Sequence, residues 1–315
     1  MPGNVPAPAA SESPPFRRNP ARGNAHHPGL NPAAPSTQTP PQPCVNGIRA
    51  GKTQFAGLHP GLLDLAARSG AQAIEIFAAR QHFNYTYQEE VTELADWFRS
   101  NPLVPFSMHA PLFPDREMGR SGAPACNVIH PEKSRRIAAM DEIKRALEVA
   151  ERVPLQNLIV HLGEQNDGWS QQTLDDALTA LEHLAAFARP LGVRILVENL
   201  TNEPATPQRI MSILEIGHLD NIGVCLDTGH ANMTVGVPQA IDAFRDRIVS
   251  VHVHDNKGIK DEHLWPGEGT IDWKQTVDQL NTLSTPPATV LEINFNLYNP
   301  ADTRQKIEKS FELLA

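Results

Sequence analysis

Cysteine is scarce in this chain: Cys44, Cys126 and Cys225 are its three, far apart, odd in number and without a CxxC spacing. That argues against a disulfide framework and against a closed thiolate zinc site, and it fits a reducing cytoplasm. Long apolar runs are missing too. No stretch reaches the length of a bilayer span and no apolar segment lies near the N-terminus, so neither a membrane helix nor a secretory leader is expected. No GxGxxG follows an early strand pattern, which removes the fingerprint of a dinucleotide-binding sheet. Positive charge is short as well: 27 Lys and Arg face 36 Asp and Glu, a formal net charge of −9. Such a balance gives no general attraction for nucleic acid or an anionic membrane, and the loops lack the interleaved basic and aromatic residues that grip DNA.

What is present changes sharply near residue 44. Twelve of the 28 prolines lie in residues 1–43, mixed with Ala, Ser, Asn and Gln and without apolar periodicity. Such a segment cannot bury enough surface to order itself, and a disordered Pro/Ala-rich tail is expected there. Its "RRNPARGNAHH" patch reads as a solvated extension. Residues 44–315 keep 24 of the 27 Lys and Arg and 35 of the 36 Asp and Glu, a net charge of −11, and are long enough for one large α/β domain.

Within residues 44–315 the pattern alternates. Short apolar, β-branched runs read as buried strands at 72–77, 104–109, 157–161, 194–198, 222–227, 248–254 and 288–293. Between them, segments such as "SQQTLDDALTALEHLAAFARPLG" and "DWKQTVDQLNTL" repeat apolar residues at three and four, the period of an amphipathic helix. A further strand near Ile48–Ala56, polar and without a clean apolar run, brings the count to eight βα units. Eight units predict a single-domain (β/α)8 TIM barrel.

Six successive predicted strands carry a metal-ligand type at their C-terminal ends: His109, His161, Glu198, Asp227, His252 and Glu292. In a barrel those ends face one mouth. Burying several acids side by side costs several kcal/mol unless a cation compensates. Mixed carboxylate and imidazole donors suit Mn, Zn, Co, Fe or Mg. In "VSVHVHD" (249–255), alternation places His252 and His254 on one side and Val251 and Val253 on the other, so His254 and Asp255 are expected to orient His252 or to line the pocket. Farther on, Thr270 is expected to cap the helix that begins at "TIDW", Trp273 to pack, and Lys257 to be solvated.

The ordered motifs "SMHAPL", "IVHLGE", "LVENL", "CLDTGHANM", "VHVHDNKG…DEHLWPGEGTIDW" and "VLEIN" resemble the xylose-isomerase-like TIM barrels, a group of sugar and sugar phosphate isomerases and epimerases. The resemblance spans roughly residues 48–315. It implies a divalent metal on Glu198, Asp227, His252 and Glu292, with Glu198 and Glu292 also transferring protons through an enediolate. It further implies that His230 contacts substrate, joined by His109, His161, Asp261 and His263, the last two on a loop over the mouth. Endonuclease IV, a metal-dependent apurinic-site nuclease of the same fold, resembles the chain at these same His, Asp and Glu positions and supplies the rival reading. The acidic barrel favours a small sugar or polyol substrate over nucleic acid, and the intact glutamates argue against a catalytically silent binding module.

Deleting residues 1–43 is expected to leave soluble expression and melting temperature unchanged, because the segment has no apolar face to contribute to a core. Differential scanning fluorimetry on the full and truncated chains checks this, and a large drop in the truncated protein would contradict it.

Overall fold

A computed structural model describes residues 44–47, 58, 60–293 and 299–314. Its strands are β1 (Cys44–Gly47), β2 (Ala73–Phe77), β3 (Val104–His109), β4 (Asn157–Val160), β5 (Arg194–Glu198), β6 (Gly223–Asp227), β7 (Ile248–Val253) and β8 (Ala288–Leu291). They are parallel and form a closed barrel in chain order, with β8 returning to β1. The expected TIM barrel is therefore present, and seven of its strands lie where the apolar runs place them. The first does not. It falls at Cys44–Gly47, in register with Ala73–Ile76 of β2, and the expected Ile48–Ala56 strand lies outside the described residues.

Helices α1 (Pro60–Arg68), α2 (Gln88–Ser100), α3 (Lys133–Leu147), α4 (Gln171–Ala188), α5 (Pro207–Ile216), α6 (Thr228–Met233), α7 (Val237–Phe244), α8 (Trp273–Leu280) and α9 (Pro300–Leu313) alternate with the strands. Their ends follow local chemistry. The Ser170 side chain accepts from Thr173 N to start α4, whose buried stripe includes Leu174, Ala177, Leu181, Leu184 and Ala188. Past its end, Gly192 takes a left-handed φ of 73° that a side chain would resist. Helix α8 is capped by Asp272, whose side chain accepts from Gln275 N. Thr270, the expected cap, instead donates its hydroxyl to Asn256 O, because it lies two residues too early to reach the first free amides of the helix. Among the described residues no helix is long and apolar enough to cross a membrane.

The strands divide their side chains by parity. Ile76, Met108, Leu158, Val160, Ile195, Val197, Val224, Val251 and Val253 join the helices in one large core. The opposite parity fills the barrel interior, where two small apolar clusters form, Ile159–Leu196–Cys225 and Ala73–Ala288–Val290. Above them, toward the C-terminal ends of the strands, the interior becomes polar. A fully buried leucine or isoleucine contributes roughly 1.5–3 kcal/mol, so the outer core has the reserve to hold a barrel whose upper interior is charged.

Candidate metal centre at the barrel mouth

Parity and strand ends explain how the site assembles. His109, Glu198 and Asp227 are the last residues of β3, β5 and β6, His161 and Glu292 follow β4 and β8 by one residue, and His252 is next to last in β7. The register sets Asp227 beside His252. Glu198, Asp227, His252 and Glu292 are all fully buried, and one ligand atom from each lies within 4.8 Å of the others. His109, His161 and Glu198 form a second such group, and His254, Asp261 and His263 a third. The residues that the sequence singled out thus converge on one polar space.

Neighbouring backbone aims these side chains. Asn199 clamps β5 to β6, donating from Nδ2 to Asp227 O at 3.0 Å and accepting from Asp227 N at 2.8 Å. Asp227 Oδ1 accepts from His230 N at 2.7 Å and so caps α6 while facing the site. His254 reaches the same carboxylate, its Nε2 lying 3.0 Å from Asp227 Oδ2, so the side chain it contacts is Asp227, whereas it was expected to orient His252 or to line the pocket. Its ring also stacks on His263, with centroids 4.1 Å apart. Asp255 does something different from what was expected. It accepts from Asn256 N, Gly267 N, Ile271 N and Trp273 Nε1, four bonds that pin the loop over the mouth and leave nothing for His252. Trp273 is buried, as expected, and Lys257 is exposed.

Charge balance is the outstanding feature of this space. Glu198 Oε2 lies 3.1 Å from His161 Nε2, 3.3 Å from His109 Nε2 and 3.5 Å from His252 Nδ1, and its Oε1 lies 3.5 Å from His230 Nδ1. Burial pushes its pKa up, yet the imidazoles of His161, His252 and His109 hold it well below the ordinary glutamate value. Burial likewise pushes His252 down, and Cys225, Glu75, Glu292 and Glu198 around it raise it well above an ordinary histidine. His230 is raised well above by Asp227, Asp261 and Glu198 against its own burial. Asp261, on the exposed loop over the mouth, is lowered against partial desolvation through hydrogen bonds with His230 and His263. Cys225, buried in the floor, is pushed up to about 12 and stays a thiol.

A divalent cation fits this donor set. Buried Glu198 Oε1 and His252 Nδ1 have no hydrogen-bond partner, an expensive state for groups that a cation would satisfy together. Three carboxylates and one imidazole are hard and borderline donors, suited to Mn, Zn, Co, Fe or Mg. The backbone also prepares the outer groups: His109, His230 and His263 each place Nδ1 at 2.9–3.0 Å from a main-chain carbonyl, of Ala110, Asn199 and Glu292. A carbonyl only accepts, so those Nδ1 atoms carry hydrogen and each Nε2 is turned toward the shared space, where that of His263 meets Asp261 Oδ2 at 3.0 Å. His263 pays for its position with a φ of 48°, uncommon for a residue other than glycine.

One member of the site escaped the sequence reading. Glu75, in the middle of β2, is fully buried with Oε1 3.0 Å from His252 Nε2 and Oε2 accepting from Ser107 Oγ at 2.6 Å. The signal was an acid inside the otherwise apolar "AIEIF", on the inward parity but one layer below the strand ends.

A family model described as the xylose isomerase-like TIM barrel matches residues 63–314. The chain belongs to that family. Within it, the chain is 26% identical over 182 residues to the MJ1311 protein of Methanocaldococcus jannaschii, covering 55% of this chain and 62% of that one. It is 29% identical over 167 residues to a protein of Natronomonas pharaonis described as probable endonuclease 4, covering 46% and 58%. In both cases it spans less than two thirds of the relative. An inosose isomerase of Bacillus velezensis is 22% identical over 221 residues, covering 67% and 74%. Among solved structures, a zinc-bound IolI protein superposes with a TM-score of 0.70 at 18% identity, covering 87% of this chain and 98% of that one. A D-tagatose 3-epimerase-like protein superposes with a TM-score of 0.67 at 22% identity and the same coverage.

The charge pattern in this xylose isomerase-like barrel gives a pH dependence of definite sign. His230 and His252 are raised in the folded state, so their stabilisation of the cation-free protein is fully present below about 6.5 and is lost as pH rises through their raised values. Cation binding displaces the His252 proton, and its positive charge disfavours that on nearby His230, so binding strengthens over the same range. The gap in melting temperature between cation-loaded and chelator-treated protein is therefore expected to widen from pH 6 to pH 8; a constant gap would contradict it.

Gly229 supplies a second check. A Cβ there would overlap the His254 ring, whose Nε2 is held by Asp227. Gly229→Ala is expected to cost about 1–3 kcal/mol of stability and to reduce bound metal, read by chemical denaturation and elemental analysis. Full retention of both would show that His254 has room to move.

Proposed function

We propose that the protein is a divalent-metal-dependent isomerase or epimerase of a sugar, sugar phosphate or polyol derivative, with Glu198 and Glu292 as the proton-transfer pair and an enediolate on the path. The observation that carries this reading is the convergence of buried Glu198, Asp227, His252 and Glu292 within 4.8 Å in a mouth otherwise lined by imidazoles. A cation bound there supplies a Lewis acid that steadies negative charge on a substrate carbonyl. The chain's own residues do the rest. Glu198 and Glu292 come from β5 and from the end of β8, on separate parts of the barrel wall, so they approach a bound sugar from different directions. One carboxylate removes the proton next to the carbonyl, and the other, in its acid form, returns one. Glu198 lies against four imidazoles that favour its charged form, the form that removes a proton. His230, His263 and Asp261 form the outer wall, where Nε2 of His230 lies 3.5 Å from Asp261 Oδ2, and they hold substrate hydroxyls. The names of the inosose isomerase and of the D-tagatose 3-epimerase-like structure support a sugar substrate.

A specific observation favours a second reading, hydrolysis of a phosphoester by a several-metal centre. The groups His109–His161–Glu198 and His254–Asp261–His263 each bring three donors together beside the central one, and one relative is described as probable endonuclease 4. Multi-metal sites clamp both the attacking and leaving oxygens of a phosphate.

Turnover in deuterated water is expected to place deuterium on the reacting carbon of a ketose or inosose. Glu292→Gln is expected to reduce turnover by roughly 10³-fold or more at matched metal occupancy, measured before the loss is assigned to proton transfer. One bound metal per chain together with no incision of an abasic-site duplex would agree with the sugar reading. Three metals and strand incision that vanishes in Glu292→Gln would replace it with the nuclease reading.

A further inference from the structure

Three of the site imidazoles are set by main-chain carbonyls. His109, His230 and His263 donate Nδ1–H to Ala110, Asn199 and Glu292 and turn Nε2 inward. His252 is built the other way round. Its Nδ1 faces the central group, 2.7 Å from Glu292 Oε2, and its Nε2 points down into the barrel, where β-strand amides and carbonyls are consumed by the ladder and none is free to orient it. What lies there is Glu75. The two atoms, His252 Nε2 and Glu75 Oε1, are 3.0 Å apart, in contact but out of line for a hydrogen bond, and each is a buried polar atom with no other hydrogen-bond partner. A buried donor and a buried acceptor left unmatched at that distance are satisfied together by a small rotation of the ring.

We infer that Glu75 is the positioning residue for His252: its carboxylate takes the Nε2 hydrogen and so presents the Nδ1 lone pair to a divalent cation shared with Glu198, Asp227 and Glu292. The inference rests on the cation-binding reading of the site. Glu75 itself is held for the task. Ser107, its register partner on β3, donates to Oε2 at 2.6 Å, which leaves Oε1 facing the imidazole. The nearby Cys225 is a buried thiol that also interacts with His252, but it is a far weaker acceptor than a carboxylate, so Glu75 is the stronger claimant to the Nε2 hydrogen. Glu75 lies a layer below the candidate ligands and meets them at the His252 ring, so it acts through His252.

The test uses the full chain, with Zn2+ and Mn2+ titrated against a chromophoric chelator. Wild-type protein is expected to bind the cation, and Glu75→Gln to bind it roughly 10- to 100-fold more weakly, with chelator-treated melting temperatures that stay close. Long-range proton–nitrogen NMR of the Zn2+-loaded proteins gives the signature that a purely structural role would not move. His252 shows a single pattern with hydrogen on Nε2 in the wild type and a mixture in Glu75→Gln, while the His109 pattern is the same in both. Ser107→Ala, which frees Oε2 without removing the carboxylate, is expected to lose less affinity than Glu75→Gln and serves if the latter fails to fold. Wild-type affinity and an unchanged His252 pattern in Glu75→Gln, or in its place no loss at all in Ser107→Ala, overturn the role given to Glu75. Absence of cation binding by the wild type overturns the reading of the site beneath it.

Discussion

Four carboxylates, Glu75, Glu198, Asp227 and Glu292, sit inside one barrel with no measurable exposure, and the rest of the upper interior is arranged around their mutual repulsion. Left alone, each would be protonated or would tear the core open. Five imidazoles are packed among them, and the opposing signs of the shifts at Glu198 and at His230 and His252 show each kind of group holding the other charged. Without a cation the balance is kept by protons. Under the proposed reading, a cation would take over that balance as the same donors give up protons.

The arrangement is held by rigidity outside the candidate ligands. The Asn199 clamp, the Asp227 cap on α6 and the carbonyl partners of His109, His230 and His263 are all main-chain contacts. Main chain in a closed parallel barrel moves little, because each strand is held on both sides. The candidate ligands thus inherit their precision from the ladder, and most of them are strand-end residues.

Much of this was legible in the sequence, for physical reasons. Seven strands were readable because both faces of a barrel strand are buried and leave continuous apolar runs. The candidate ligands were readable because a His or acid ending such a run breaks an otherwise simple pattern. The first strand was misplaced because Cys44–Gly47 is only four residues long and lacks an apolar run of its own. Glu75 was overlooked because strand ends drew attention while its own position, two residues earlier on the inward parity, is where packing alone would put Val or Leu. Thr270 and Asp272 differ by a helix turn's geometry that composition does not reveal. The job of Asp255 depends on four donors spread from residue 256 to residue 273, a closure visible only in three dimensions.

That closure has a consequence for the loop over the mouth. Asp255 and Leu264 pair through both main-chain bonds, at 2.8 and 2.9 Å, so the hairpin between them has a fastened base and an outward rim. His263 lies against the base. Lys257, Gly258, Ile259 and Lys260 form the rim, with Ile259 81% exposed. The rim is tied to the base through backbone donors, Lys257 N to Glu262 Oε2 at 3.0 Å and Gly258 N to Asn256 Oδ1 at 2.9 Å. The loop therefore has two parts of different character: a base fastened by main-chain bonds that keeps His263 in place, and an outward run from Lys257 to Lys260.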